Sequence, residues 1–410
     1  MSQRRAETSG ISDWINQRLP VNQFFIRHLV NYFAPKNLNF WYFFGVFSLV
    51  VLANQVLTGI ALAMVYTPTG AEAFASVEHI MRHVPYGWLL RYMHSTGASA
   101  FFIVIYLHIY RALMYGSYRM PRELLWLTGC VLFMVLMAES FTGYVLPWGQ
   151  MSFWGAKVIA ELFGTIPGIG TTLVHWIQGD YVISEVLLKR FFAFHVIAVP
   201  LILIAMVMLH IVALHSVGSN NPEGIEIKDQ CDRRGRPLDG IQFHPYYTVK
   251  DIMAVLGFLI VFAWVLFYVP EFWGLFLEPA NFQPANPLVT PAHIQPVWYF
   301  SSFFAMLRAV PDKSYGALVM LSAVVILCFV PWLDRSPVRS IRYKGIGSKI
   351  ALSCLVLSFS ILGFLGTQPA VGGYLIMARI MTGVYFACFL AMPIYTRIES
   401  CRTPPKRIQG

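Results

Sequence analysis

Eight long apolar runs, separated by polar stretches, dominate the pattern of this chain. A helix needs about 20 apolar residues to cross roughly 30 Å of hydrocarbon. On that length the pattern predicts spans over 40–66, 89–115, 123–146, 190–216, 251–270, 315–333, 347–366 and 374–396. The expected fold is all-α: a polytopic membrane protein of eight transmembrane helices, the first four forming a bundle. Residues 1–36 read as a basic arm with short amphipathic helices at the interface. Residues 147–189 read as an outer loop carrying WGQMSFWGAKV and the turn TIPGIG, 217–250 as a polar stretch with NNPEG and DRRGRP, and 271–314 as a loop rich in proline and aromatics. The expected division is therefore an arm (1–36), a four-helix bundle (37–217), a loop (218–250), helices five to eight with their outer loop (251–400), and a tail (401–410). Neither an internal repeat nor a low-complexity segment is visible. The polar N-terminus has no apolar h-region, so a cleaved signal peptide is not expected.

Composition supports this picture. The chain of 410 residues is 57% hydrophobic and only 12% charged, about half the charge of a soluble domain. A net charge of +10 would suit nucleic acid, but the basic residues gather on one side of the spans. With the N-terminus inside, the cytoplasmic side holds Arg4, Arg5, Arg18, Arg27 and Lys36, then Arg111, Arg119 and Arg122. It also holds Lys228, Arg233, Arg234, Arg236 and Lys250, then Arg335, Arg339, Arg342, Lys344 and Lys349, and in the tail Arg397, Arg402, Lys406 and Arg407. That is 22 of the 30 Lys and Arg, as the positive-inside rule demands. Both termini are then expected in the cytoplasm. The six cysteines form no CxxC and no CxxCH, so no thioether-linked haem is expected at such a motif.

Four histidines carry the candidate chemistry. His94 and His108 lie in the second run, His195 and His210 in the fourth, where an ionisable side chain is costly and so a functional candidate. Fourteen helical residues turn through about 1400°, within about 40° of whole turns, and rise about 21 Å. His94 and His108 thus share a face at two depths. Spans two and four run in the same direction, so His94 meets His195 at an outer level and His108 meets His210 at an inner one. Two imidazoles per iron make a six-coordinate haem suited to electron transfer. Gly45 and Gly59, and again Gly129 and Gly143, repeat the 14-residue spacing and are expected to let a porphyrin approach the backbone. Arg91 and Arg111 lie three residues outside His94 and His108, placed to pair with propionates. A compact metal site using all four histidines is excluded by the rise between levels. A proton-relaying transporter and a shorter di-haem anchor of the hydrogenase or formate dehydrogenase type are the competing classes.

The strings RYMHSTGAS, GYVLPWGQMSFWGA (143–156), RFFAFH (190–195), GSNNP (218–222), FHPYYTVKD (243–251), PANP (284–287) and HIQPVWYF (293–300) resemble the cytochrome b family of the bc1 complex, the ubiquinol–cytochrome c reductase. The likeness is greatest to its proteobacterial branch and covers nearly the whole chain. It implies a catalytic subunit active only within its complex in the bacterial inner membrane, with two non-covalent b haems. Quinol is oxidised at an outer site. One electron leaves to a Rieske iron–sulfur partner and then cytochrome c1; the other passes inward through both haems to a quinone, with net proton translocation (a Q cycle). It further implies a homodimeric complex in contact with membrane lipids. By the same resemblance His94 and His195 ligate the outer haem, His108 and His210 the inner one, and Arg91 and Arg111 contact propionates. Tyr144, Gly155, Pro296, Trp298 and Tyr299 border the quinol-oxidation pocket, and His215, Ser219 and Asp251 the quinone-reducing site.

Departures from the family pattern raise further expectations. The commonest loop form is PEWY; here Val297 replaces the glutamate, and valine carries no proton. Glu139 in span three is the expected substitute carboxylate, with Glu161 in the following loop as the other candidate. His195 and His210 are 15 apart, with Pro200 between them, so a helix irregularity is expected near 196–205. The insert KDQCDRRGRPLDG (228–240) reads as a solvated loop.

Overall fold

The structure, a computed structural model, describes residues 32–408 together with Trp14 and Arg18. Arg4, Arg5 and Arg27, and most of the expected interfacial arm, lie outside the described residues. Among those described, eight helices are long and apolar enough to span a membrane: Phe40–Ala63, Gly87–Tyr115, Glu123–Val145, Glu185–Val217, Phe243–Tyr268, Lys313–Leu333, Ile346–Gly366 and Gly372–Leu390. The expected count and order hold. The ends differ where local chemistry sets them. Span four begins earlier because Ser184 caps it, its Oγ accepting from Val186 N. Span eight ends at Leu390, and a separate short helix, Met392–Ile398, comes next with a proline in its first turn.

The connections are more ordered than a loop reading implies. Helices Ala73–His83, Gln150–Gly164 and Gly170–Gln178 fill the outer connections, and Ser301–Ala309 succeeds the PVWY loop. At the other end a two-stranded antiparallel sheet pairs β1 (Phe33–Pro35) with β2 (Gly240–Gln242). The insert over 231–236 is exposed, as expected, but its last residue enters that strand.

Span one packs along span two, and span three along span four. The approach of the first pair is close: a Cβ on Gly97 would overlap Gln55, whose Nε2 donates to the His94 carbonyl at 3.0 Å. One buried apolar cluster runs from Phe102 and Phe133 through Tyr299 and Met306 to Leu362 and Phe389, joining the first four spans to the last three. The end expected to face the cytoplasm is laced with ion pairs: Arg122–Glu226 at 2.9 Å, Arg342–Glu223 at 2.9 Å, Lys344–Asp334 at 2.6 Å and Arg119–Asp334 at 3.2 Å. Burial alone would raise the Asp334 pKa, but the two cations hold it below the usual carboxylate range.

The irregularity expected in span four is present. Phe194–Ala198 forms one π-turn, joining helix Glu185–Ala193 to Val199–Val217, with Pro200 in the first turn of the latter. A π-turn inserts one residue into a helix. The 15-residue separation then presents the same facing as 14 residues of regular helix, and His195 sits inside the turn that makes the adjustment.

Candidate functional site

At the outer level the His94 and His195 rings face each other with centroids 6.0 Å apart and planes perpendicular. Two imidazoles on opposite sides of one metal atom, each with a metal–nitrogen bond of about 2 Å, have centroids about 6 Å apart, so the separation fits a shared metal. Hydrogen bonds set the tautomers. The Thr58 hydroxyl donates to the Asn54 carbonyl at 2.6 Å and stands 2.9 Å from His94 Nδ1. Its one proton is spent, so it accepts from Nδ1–H, leaving the Nε2 lone pair free. His195 Nδ1 lies 2.9 Å from the Glu139 carbonyl and 3.0 Å from its Oε1, which again places the proton on Nδ1. Such partners orient a ligating histidine.

The inner level uses the same device once. Thr128 donates to the Leu125 carbonyl at 2.9 Å and stands 2.9 Å from His210 Nδ1. His108 Nδ1 is buried with no partner. The Arg111 guanidinium reaches Ser117 Oγ at 3.2 Å and lies over the Tyr42 ring at 4.6 Å, while its Nε is buried and unpaired. Unpaired donors and acceptors at this depth are costly and mark where a polar group of a cofactor fits. At the outer end Arg91 stands among Tyr92, Glu271 and Glu78.

Each of the four glycines faces an imidazole. An added Cβ would stand 3.5 Å from His108 at Gly45, 3.2 Å from His94 at Gly59 and 3.3 Å from His210 at Gly129. At Gly143 it would overlap His195 at less than 3.0 Å. An imidazole thus borders each glycine of the 14-residue repeat. Among the described residues no three His, Cys, Asp or Glu converge as a compact metal site.

A cavity of about 450 Å³ opens around the inner level, lined by His108, Arg111 and His210 and also by Tyr32, His215, Ser219 and Asp251. Tyr32 is its organiser: its ring lies 4.7 Å from that of His215, and its hydroxyl lies 3.2 Å from Ser219 Oγ and accepts from Ser219 N at 3.3 Å. The three residues expected at the inner site thus come together around a fourth that the sequence did not single out.

Where the outer pocket is expected, two strings are locked together. Gln150 N donates to the Gln283 carbonyl at 2.9 Å and Ala285 N to the Trp148 carbonyl at 3.0 Å. Asn281 Oδ1 accepts from Ser152 N at 2.8 Å. This brings GYVLPWGQ against the Pro- and Asn-rich turn before PANP. Tyr144 packs beside Gly155 and donates to Glu278 Oε2 at 3.2 Å. Tyr299 is buried, stacked on Phe102 at 4.0 Å, and Trp298 Nε1 donates to Ser99 at 3.0 Å. Val297, next to Pro296, is buried in the apolar cluster. Of the two expected carboxylates, Glu139 is placed against His195, and Glu161 is half exposed, 3.9 Å from Lys313.

Sequence reasoning passed over Tyr32, Thr58, Thr128 and Glu278. A signal existed for two of them: Thr58 and Thr128 each directly precede a glycine of the 14-residue repeat. Glu278 had none, because a lone glutamate in a loop looks solvated until the fold buries it.

Comparison with known proteins agrees with this geometry. The chain matches a family described as Cytochrome b/b6/petB over residues 29–218 and one described as Cytochrome b(C-terminal)/b6/petD over residues 284–386. A "Cytochrome b" of Allochromatium vinosum is 55% identical, over 98% of this chain and 99% of the relative. A "Cytochrome b" of Rhodospirillum rubrum is 48% identical over 97% and 95%. A solved structure titled "Hyperthermophilic respiratory Complex III" superposes with a TM-score of 0.87 at 37% identity, covering 95% of this chain and 99% of that one.

Proposed function

This chain belongs to the cytochrome b/b6 family, and from that premise we propose that it is the membrane subunit of a bc1-type quinol–cytochrome c oxidoreductase. Bound b haems, one per level, supply a bis-imidazole electron relay between an outer quinol-oxidising pocket and an inner quinone-reducing one. His94 and His195 would hold the outer group, His108 and His210 the inner one. Arg91 would meet the propionates of the outer group and Arg111 those of the inner one, and Gly45, Gly59, Gly129 and Gly143 leave room for the ligand rings. The bundle over 37–217 carries both levels, and 251–400 supplies the outer loop. The termini lie in the cytoplasm of a bacterium and the complex in its inner membrane. There it is a homodimer with a Rieske iron–sulfur protein and cytochrome c1 as partner subunits.

The chain's own residues divide the remaining work. Thr58, Thr128 and Glu139 keep the Nδ1 protons of His94, His210 and His195 in place, so that these three rings present Nε2. Pro296, Trp298, Tyr299, Tyr144 and Gly155 wall the outer pocket and exclude water. At the inner cavity Tyr32 holds Ser219 and packs its ring against His215, with Asp251 lining the same cavity. A histidine and a carboxylate facing one cavity suit proton delivery to a quinone oxygen.

The observation that carries the reading is the outer pair: two rings 6.0 Å apart, each with its Nδ1 proton committed elsewhere. A reduced-minus-oxidised absorbance spectrum of the purified complex tests it. Two b-type signals, both lost in His94→Leu with His108→Leu, are expected; a spectrum without b-type bands ends the proposal.

A further inference from the structure

We propose that Glu278 is the base of the outer pocket, taking a proton from bound quinol in place of the glutamate that Val297 displaces. The inference rests on the quinol-oxidation reading above and adds the residue and the atom.

Glu278 is buried, at 4% exposure, on the connection between spans five and six. It immediately precedes a short 3-10 turn, Pro279–Phe282. Its two oxygens are used unequally. Oε2 accepts from Tyr144 at 3.2 Å and from Asn281 Nδ2 at 3.1 Å, whereas Oε1 is buried with no partner. Proteins rarely leave a buried carboxylate oxygen unpaired, and one on a carboxylate bonded to Tyr144, a residue expected to border the quinol site, is placed to receive a proton from a ligand. Among the described residues no ion pair includes Glu278. Glu139 also keeps a buried, unpartnered oxygen, Oε2, but its Oε1 lies 3.0 Å from His195 Nδ1, and Glu161 lies beside Lys313.

The carboxylate is also held still. Asn281 ties its turn to Ser152, and the backbone bonds from Gln150 to Gln283 and from Ala285 to Trp148 clamp the chain on the far side of that turn. It stands between the two tyrosines of the pocket. Tyr144 bonds it directly, and its charge adds to burial in raising the Tyr299 pKa. The titratable groups facing it are thus Tyr144 from span three and Tyr299 from the PVWY segment, both phenols whose ordinary pKa near 10 keeps them out of the neutral range. Burial raises Glu278 itself to about 7, opposed by its hydrogen bonds with Tyr144 and Asn281. A base is most effective with a pKa near the working pH. Below about 7 the group is mostly the neutral acid and cannot accept; above it the carboxylate is available.

The step is acid–base only. One quinol O–H bond breaks, its proton bonds to Oε1 to give a neutral carboxylic acid, and the bonding pair stays on the quinol oxygen. No electron moves in this step.

The test uses the intact membrane complex. Glu278→Gln and Glu278→Asp are compared with wild type for quinol-dependent turnover, with the b-type difference spectrum as the check on assembly. Glu278→Gln is expected to lower kcat about 100-fold or more with KM nearly unchanged, the scale of general-base catalysis. Glu278→Asp is expected to recover at least about tenfold of that loss. The wild-type kcat/KM should rise with pH through about 7, and that limb should vanish in Glu278→Gln. A glutamine variant with an intact spectrum and near wild-type turnover overturns the proposal. Should that variant not assemble, Glu278→Asp decides, and an acid limb left at its wild-type position overturns it. Wild-type complex that keeps its b-type bands but oxidises no quinol instead sinks the reading on which this step rests.

Discussion

The two histidine levels are built from the same parts and finished differently. At the outer level both Nδ1 atoms have partners, the rings stand 6.0 Å apart, and the glycine behind His195 leaves no slack. At the inner level His108 Nδ1 is unpartnered and the gap behind it is an ordinary van der Waals distance. A cavity of about 450 Å³ runs from the rings to Tyr32 and Asp251. The outer level is thus preset by its own side chains, whereas the inner one opens onto a cavity. The lesson is that one spacing in the sequence supports a tight relay position at one depth and an accommodating one at the other.

The strongest way to break this contrast is at the glycines. Gly143→Ala must push His195 aside, so it should remove the outer b-type signal and quinol turnover together. Gly45→Ala meets His108 at 3.5 Å and should keep both signals. Equal losses in the two variants' difference spectra would erase the distinction between levels.

Next in size is Glu139. The sequence favours it as the substitute base, and the structure sets it against His195. If its carboxylate acts on that ring, Glu139→Gln should raise the outer midpoint potential by about 60 mV, a tenfold change in a one-electron equilibrium. Quinol oxidation would then fall only modestly. Redox titration with parallel turnover decides: a severe loss of turnover with the potential unmoved restores Glu139 to the quinol pocket.

A smaller effect is expected at the inner cavity. Tyr32→Phe keeps the ring against His215 but removes the hydroxyl that meets Ser219. One such hydrogen bond is worth about 1 kcal/mol, so apparent quinone affinity should weaken about fivefold in steady-state reduction at the inner site, with the outer reaction intact.

The smallest effect lies at the periphery of the inner end. The Asp239 carboxyl is held down at about 2, mainly by its hydrogen bonds with Arg407, helped by Ile408 N–H and Lys36. A depressed carboxylate contributes its contact fully above the ordinary range near 4 and loses it as pH falls through about 2. Asp239→Asn should therefore loosen the tail at neutral pH, read as faster proteolysis after residue 401, while both b-type signals stay unchanged. Partly exposed pairs of this kind are worth at most about 1 kcal/mol.

Much of this was legible in the chain. Span number and order came from apolar run length because hydrocarbon thickness sets a minimum helix length. The two levels came from a 14-residue spacing because helical pitch is fixed, and the extra residue in span four announced a π-turn because the facing had to be restored. Other features were out of reach for an equally physical reason. Glu139 reads as a misplaced acid until the π-turn brings His195 beside it. Glu278 reads as a surface residue until the backbone clamp between Gln150 and Gln283 buries it. Periodicity and composition by themselves determined an eight-helix membrane protein with two pairs of imidazoles at two depths. Which Nδ1 atoms find partners, which residue each buried carboxylate meets, and which tyrosine meets the inner residues were decided by packing alone, since those contacts join segments up to 187 positions apart that no local pattern relates.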